Sequence, residues 1–210
     1  MIKVAIELNG VVRNINKQIL KYYVKDFDQS IDLDEVDEKD DPYKTVKFSS
    51  LKERNIFLYI DYPYEIYGCA KAMDKDLPRD LNNWLAELTN FEKEEIEISF
   101  FSLHEEAITI QSSYFFLSKI GTRVRKVFFP KDVSDVADYF DLIIASSEEA
   151  VKSANEKNKP IILINNLVNE ECKEISNYNY DSLTDVIKDE EITDKIYNLI
   201  HGETKWQIKF

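Results

Sequence analysis

The sequence predicts an α/β protein in which helices cover both faces of a parallel sheet. Three observations carry that prediction. Short strand-like apolar segments, alternating at residues 2–6 and more continuous toward 160–164, occur at residues 2–6, 96–103, 141–144 and 160–164. Amphipathic helical segments alternate with them. Only 4 Gly and 5 Pro in 210 residues argue against a loop-rich or low-complexity chain.

In chain order, Ile2, Val4 and Ile6 read as a buried first strand that ends at Glu7, passes Asn9 and turns at Gly10. A helix follows from Asn14 to Val24, with Ile15, Ile19, Leu20 and Tyr23 on one stripe. Residues 26–41 carry nine Asp and Glu against the single Lys39 and read as a solvated acidic loop; EF-hand spacing is absent. Residues 56–62, rich in aromatic and branched side chains, are expected to form a strand or extended run ending at Pro63. Tyr64 to Ala72 suits a helix start, and Asp80 to Leu88 a helix with Leu81, Trp84, Leu85 and Leu88 on one face.

The second core strand is Ile96–Leu103. A helix at Ala107–Ile120, a third strand at Val124–Phe129 and a connection at Val133–Tyr139 follow. Then come a strand at Asp141–Ile144, a helix at Glu148–Glu156, a strand at Pro160–Ile164 and a terminal helix at Leu183–Ile200. In the tail, Trp206, Ile208 and Phe210 alternate onto one side, to dock on the chain's own core or on a neighbouring subunit. This organisation divides the chain into a core of residues 1–13 and 96–210 and a cap-like helical and aromatic insert of residues 14–95.

Composition narrows the function classes. A formal charge of −13, from 40 acids against 27 Lys and Arg, repels phosphate backbones and argues against sequence-specific nucleic-acid binding. Cys69 and Cys172 lie far apart without paired spacing, so neither a zinc site nor a disulfide framework is expected, and a reducing compartment fits. No signal-peptide pattern opens the chain, and no apolar stretch reaches the roughly 20 residues a bilayer requires. The expectation is a protein with no membrane contact, cytoplasmic in the producing cell or carried in a virion.

The run Ile2 to Asn14, with a hydrophobic strand leading into Glu7-Leu8-Asn9-Gly10, resembles the opening motif of the haloacid dehalogenase (HAD) superfamily, Asp-x-Asp-Gly. Order and spacing extend the resemblance over nearly the whole chain, most closely over residues 96–166, and the pattern is most similar to 5′-deoxynucleotidases. Ser102 stands where the family has a phosphate-binding hydroxyl, and Val127-Phe128-Phe129-Pro130-Lys131-Asp132 resembles the strand and Lys that steady the phosphoryl group. Asp138 to Ile144 resembles the lead-in to the Mg²⁺-binding acidic pair, and Lys159 to Asn166 the last core strand. The resemblance implies a Rossmannoid core with a cap inserted after the first strand.

It also implies lost chemistry. The nucleophile position holds Glu7, one methylene longer than Asp, and a displacement of that size costs on the order of 100-fold in rate. Asn9 cannot deliver a proton, a role worth roughly 10²–10⁴-fold. Ala145 and Ser146 replace the metal-site acids. Glu7, Asn9, Ser102 and Lys131 are thus expected to be vestigial positions in a pseudoenzyme, with no catalytic residue, no metal and no cofactor. Each also has a plain structural reading. Glu7 and Asn9 suit turn donors, Ser102 suits a helix cap with Glu105, and Lys131 suits a surface pair with Asp132 or Asp135. His104 and His201 are isolated, and Arg123, Arg125 and Lys126 form the densest basic patch, suited to an acidic partner surface.

The leading functional expectation is a structural or interaction protein, self-associating or bound to protein partners. Tyr22, Tyr23, Tyr62, Tyr64 and Tyr67 are candidate interface aromatics. The Lys-, Asn-, Ile- and Tyr-rich composition suits an AT-rich genome, and a phage virion ring or connector subunit is the concrete form of the reading. Two alternatives stay open. One is a weak Mg²⁺-dependent phosphohydrolase using Glu7 as nucleophile, with Asp141 and Glu148 as substitute ligands. The other is a nucleotide-binding sensor that keeps Ser102 and Lys131 for phosphate.

Overall fold

A computed structural model describes residues 1–27, 30–33, 42–88, 96–165 and 170–200, excluding the side chains of 44 and 197–200. Most of the acidic segment 26–41, Asn166, His201 and the tail with Trp206, Ile208 and Phe210 lie outside the described residues.

The elements run β1 (Ile2–Glu7), β2 (Arg13–Asn14), α1 (Asn16–Asp26), α2 (Pro42–Thr45) and α3 (Leu51–Ile56). Two π-helical turns follow, Phe57–Asp61 and Tyr64–Gly68, then β3 (Lys71–Ala72) and α4 (Leu77–Leu88). The rest alternates: β4 (Ile96–Phe101), α5 (Ala107–Ile120), β5 (Lys126–Phe128), α6 (Ser134–Tyr139), β6 (Leu142–Ala145), α7 (Glu148–Glu156) and β7 (Ile161–Ile164). It closes with α8 (Glu170–Ile175), β8 (Tyr178–Tyr180), α9 (Leu183–Lys188) and α10 (Glu190–Ile200).

Six strands form one all-parallel sheet in the order β5-β4-β1-β6-β7-β8, while β2 and β3 make a small antiparallel pair. This is the doubly wound, Rossmann-like order, with strands leaving β1 in both directions. Alternate side chains feed two cores, as the two-residue strand period demands. Val4, Ile6, Ile98, Phe100, Leu142 and Ile144 pack with α4, α5, α9 and α10. Ala5, Phe101, Ile143, Ala145, Ile161 and Leu163 pack beneath α6, α7 and α8. Within the segment 14–95, α4 joins the first of these cores through Leu77, Leu81, Trp84, Leu85 and Leu88. A third, aromatic cluster gathers Ile19, Leu20, Tyr23, Phe57, Leu58, Ile66 and Tyr67.

Several sequence expectations need correction. Residues 56–62 are helical, not extended. Ser50 caps α3 by accepting from the Glu53 amide, and the helix widens into a π turn closed by the Tyr62 N–H on Phe57 O. The five-residue spacing brings the Phe57 and Tyr62 rings to 5.2 Å, so packing overrides strand propensity. The single helix expected at 183–200 is two, because extended Asp189 ends α9 and accepts from the Glu191 and Ile192 amides that begin α10. The connection at 133–139 contains α6, and both α8 and the three-residue β8 escaped the periodicity. Ser102 does not cap α5; its capping box is Glu106 with Thr109.

Candidate functional site

In a doubly wound sheet, ligands bind beyond the carboxyl ends of the strands where the order reverses, here between β1 and β6. Glu7 ends β1, Ala145 ends β6, and Ser102 follows β4. Gly10, at φ +79°, turns the chain back so that Arg13 re-enters the crevice. The structure therefore brings Glu7, Asn9, Ser102, Ala145 and Ser146 to one end of the sheet.

On the β6 side, Glu7 Oε2 accepts the backbone N–H groups of Ser146 (2.8 Å) and Ser147 (2.9 Å). These amides open α7, where Rossmann-like folds commonly seat a ligand's anionic group. The longer Glu side chain reaches them from β1, so an internal carboxylate takes the anion position. Glu7 is 3% exposed, and burial raises its pKa above the ordinary 4.5 despite the lowering effect of both amides.

On the β4 side lies a closed polar network absent from the sequence expectations. The side chains of Arg13 and Glu105 are both 0% exposed and pair at 2.5 Å. Arg13 donates Nε (2.9 Å) and Nη2 (2.7 Å) to Asn9 Oδ1, and Nη1 to Ser113 Oγ (2.5 Å) and Tyr67 O (3.2 Å). Glu105 accepts from the hydroxyls of Ser102 (2.6 Å) and Ser113 (2.6 Å). Asn9 Nδ2 donates to Ser102 Oγ (3.2 Å), and Ser146 Oγ donates to the Asn9 carbonyl (3.1 Å). One chain of hydrogen bonds thus crosses the crevice from α7 to α5. Burial pulls the Arg13 pKa down, and the charge and hydrogen bond of Glu105 oppose that pull.

Other candidates lie elsewhere. Lys131 is exposed beyond the edge strand β5, and Asp132, its suggested partner, accepts from Ser134 instead. Asp141, a suggested metal ligand, sits at the opposite end of the sheet and accepts from the Lys3 amide. Glu148 is paired with Lys152 at the surface. His104 meets Glu149 in an exposed pair. Cys69 is half-buried and Cys172 buried, and neither is in a disulfide. Of the five candidate interface tyrosines, only Tyr64 is exposed; Tyr23 and Tyr67 belong to the aromatic cluster.

The Mg²⁺ that the sequence resemblance implies does not fit these donors. Asn9 Oδ1 and Glu105 face a guanidinium, Glu7 Oε2 holds two amides, and Ala145 contributes no donor. Among the described residues no group of three or more His, Cys, Asp or Glu is placed to hold a metal ion. No described helix is long and apolar enough to cross a membrane. Compared with known proteins, the chain matches no family model and no curated protein sequence.

Proposed function

We propose that this chain is a non-catalytic interaction protein built on a degenerate HAD-like scaffold. The observation that carries the reading is the buried Arg13–Glu105 pair, whose network engages the polar side chains on the β4 side of the crevice. A phosphoryl-transfer nucleophile must be ionised and reach its substrate. Glu7 is buried and turned onto the backbone amides of Ser146 and Ser147. Opening the crevice would break a buried ion pair, which typically costs about 3–5 kcal/mol.

An exposed apolar surface supports the interaction half of the reading. Leu51, Ile56 and Ile60 line a shallow groove of about 540 Å³ with Tyr59. Ile60 is 66% exposed, and the exposed Tyr64 ring packs 5.1 Å from Phe115 on α5. Contiguous surfaces of this kind mark protein contacts. The finer form of the proposal is a subunit of a phage virion ring or connector.

The deciding experiment is Mg²⁺-dependent phosphate release from deoxynucleoside monophosphates, comparing the native chain with Glu7→Gln. No release above background is expected from either. Release that disappears in the variant overturns the reading and restores Glu7 as a nucleophile. Calorimetry with the same nucleotides is expected to show no heat, and a saturable signal lost on Ser102→Ala would favour the sensor instead. The virion form fails if the native protein is monomeric and absent from particles.

A further inference from the structure

At the other end of the same sheet a cavity of about 470 Å³ opens among the amino ends of the strands. Ile96 and Ile98 of β4, Leu85 and Ala86 of α4, Val124 and Met1 give it apolar walls. Arg123 and Arg125, from the turn between α5 and β5, and Lys126, which begins β5, line it with Glu97. Lys126 is hydrogen-bonded to Glu97 Oε2. Arg123 is anchored through its backbone N–H on Asn82 (2.8 Å), leaving its side chain exposed. Neither the Arg123 nor the Arg125 guanidinium has a carboxylate partner among the described residues. In a chain of charge −13, two guanidiniums without a carboxylate partner among the described residues, beside an apolar cavity, are a local concentration of positive charge.

We infer that this cavity binds a small organic anion, a carboxylate or phosphate monoester head on an apolar body. The volume falls within the roughly 300–1,000 Å³ of small-molecule pockets. Each guanidinium presents a planar fork that matches carboxylate or phosphate oxygens, and the apolar walls take the body. Glu97 also lines the site, and its pairing with Lys126 offsets the repulsion its carboxylate would exert on an anion. This inference stands apart from the crevice, whose residues it does not use.

Isothermal titration of the full chain with octanoate and octyl phosphate tests it. Octanol, acetate and inorganic phosphate serve as controls that keep only the body or only the head. Saturable binding of both octyl anions is expected, with the controls at least about tenfold weaker, since losing either half removes well over 1.4 kcal/mol. The better of the two octyl ligands assigns the head group. Arg123→Ala with Arg125→Ala is expected to weaken binding on the order of tenfold or more. Ala86→Trp, which fills the cavity from α4 and keeps both arginines, is expected to abolish it.

Octanol binding as tightly as octanoate overturns the anion assignment. Acetate or inorganic phosphate binding as tightly as the octyl anions reduces the site to a surface charge cluster and overturns it too. Absence of heat with every ligand, in a chain with native circular dichroism, ends the inference without touching the phosphate-release result.

Discussion

The two ends of the sheet differ in how they satisfy their polar groups. At the carboxyl end, where a doubly wound fold usually binds its ligand, Arg13, Glu105, Asn9, Ser102 and Glu7 are all engaged with one another or with backbone amides. At the amino end two guanidiniums face an apolar cavity without carboxylate partners among the described residues. The comparison teaches that topology locates a crevice but not its availability. Buried donors and acceptors need partners, and these crevice side chains find theirs within the chain.

The sharpest way to break the comparison is to remove one half of the buried pair. Glu105→Ala leaves Arg13 charged, buried and short of an acceptor, and should destabilise the fold by about 3–5 kcal/mol in urea denaturation. Arg13→Met with Glu105→Met should recover most of that loss, because two apolar side chains leave no uncompensated charge. A single variant that costs under about 1 kcal/mol would mean that water reaches the crevice and the network is not closed.

The pair also marks where the sequence stops being informative. The family resemblance singled out Glu7, Asn9, Ser102 and Ser146, and the strand order puts the ends that carry them side by side. Arg13 and Glu105 are 92 residues apart and meet only through tertiary packing. Their signal was positional, since each charged residue stands three or four places after a crevice residue. Lys131 follows the edge strand β5, which β4 separates from β1, and is exposed. The continuous apolar strands were legible, whereas residues 56–62 have the composition of a strand and the packing of a helix.

Glu7 sharpens the comparison on the β6 side. Glu7→Ala leaves the Ser146 and Ser147 amides without their acceptor, at about 1–3 kcal/mol for each group that water does not reach. Glu7→Gln keeps an acceptor oxygen and should cost less, and it changes the pH response. Because burial raises the folded pKa above 4.5, the folded chain retains a proton that the unfolded chain releases as pH rises from 4.5 toward the folded value. The Glu7 contribution therefore falls across that window and stays low above it. Denaturation of native chain and Glu7→Gln across that range should show a falling difference, then a plateau. A difference independent of pH would show that Glu7 ionises in the folded state as easily as in the unfolded one.

The smallest expected effect lies at the amino end and separates a binding group from a structural one. Arg123 and Arg125 are exposed, and neither has a described carboxylate partner to lose. Replacing both with Ala should change stability by no more than about 0.5 kcal/mol, as for ordinary surface substitutions. Removing two like charges from one rim can even stabilise slightly by easing their mutual repulsion. The same double variant is expected to weaken octanoate binding on the order of tenfold or more, so stability and binding should separate here as they cannot at Arg13. If the double variant instead unfolds at markedly lower urea, the arginines hold the fold together, and the two ends of the sheet are satisfied alike.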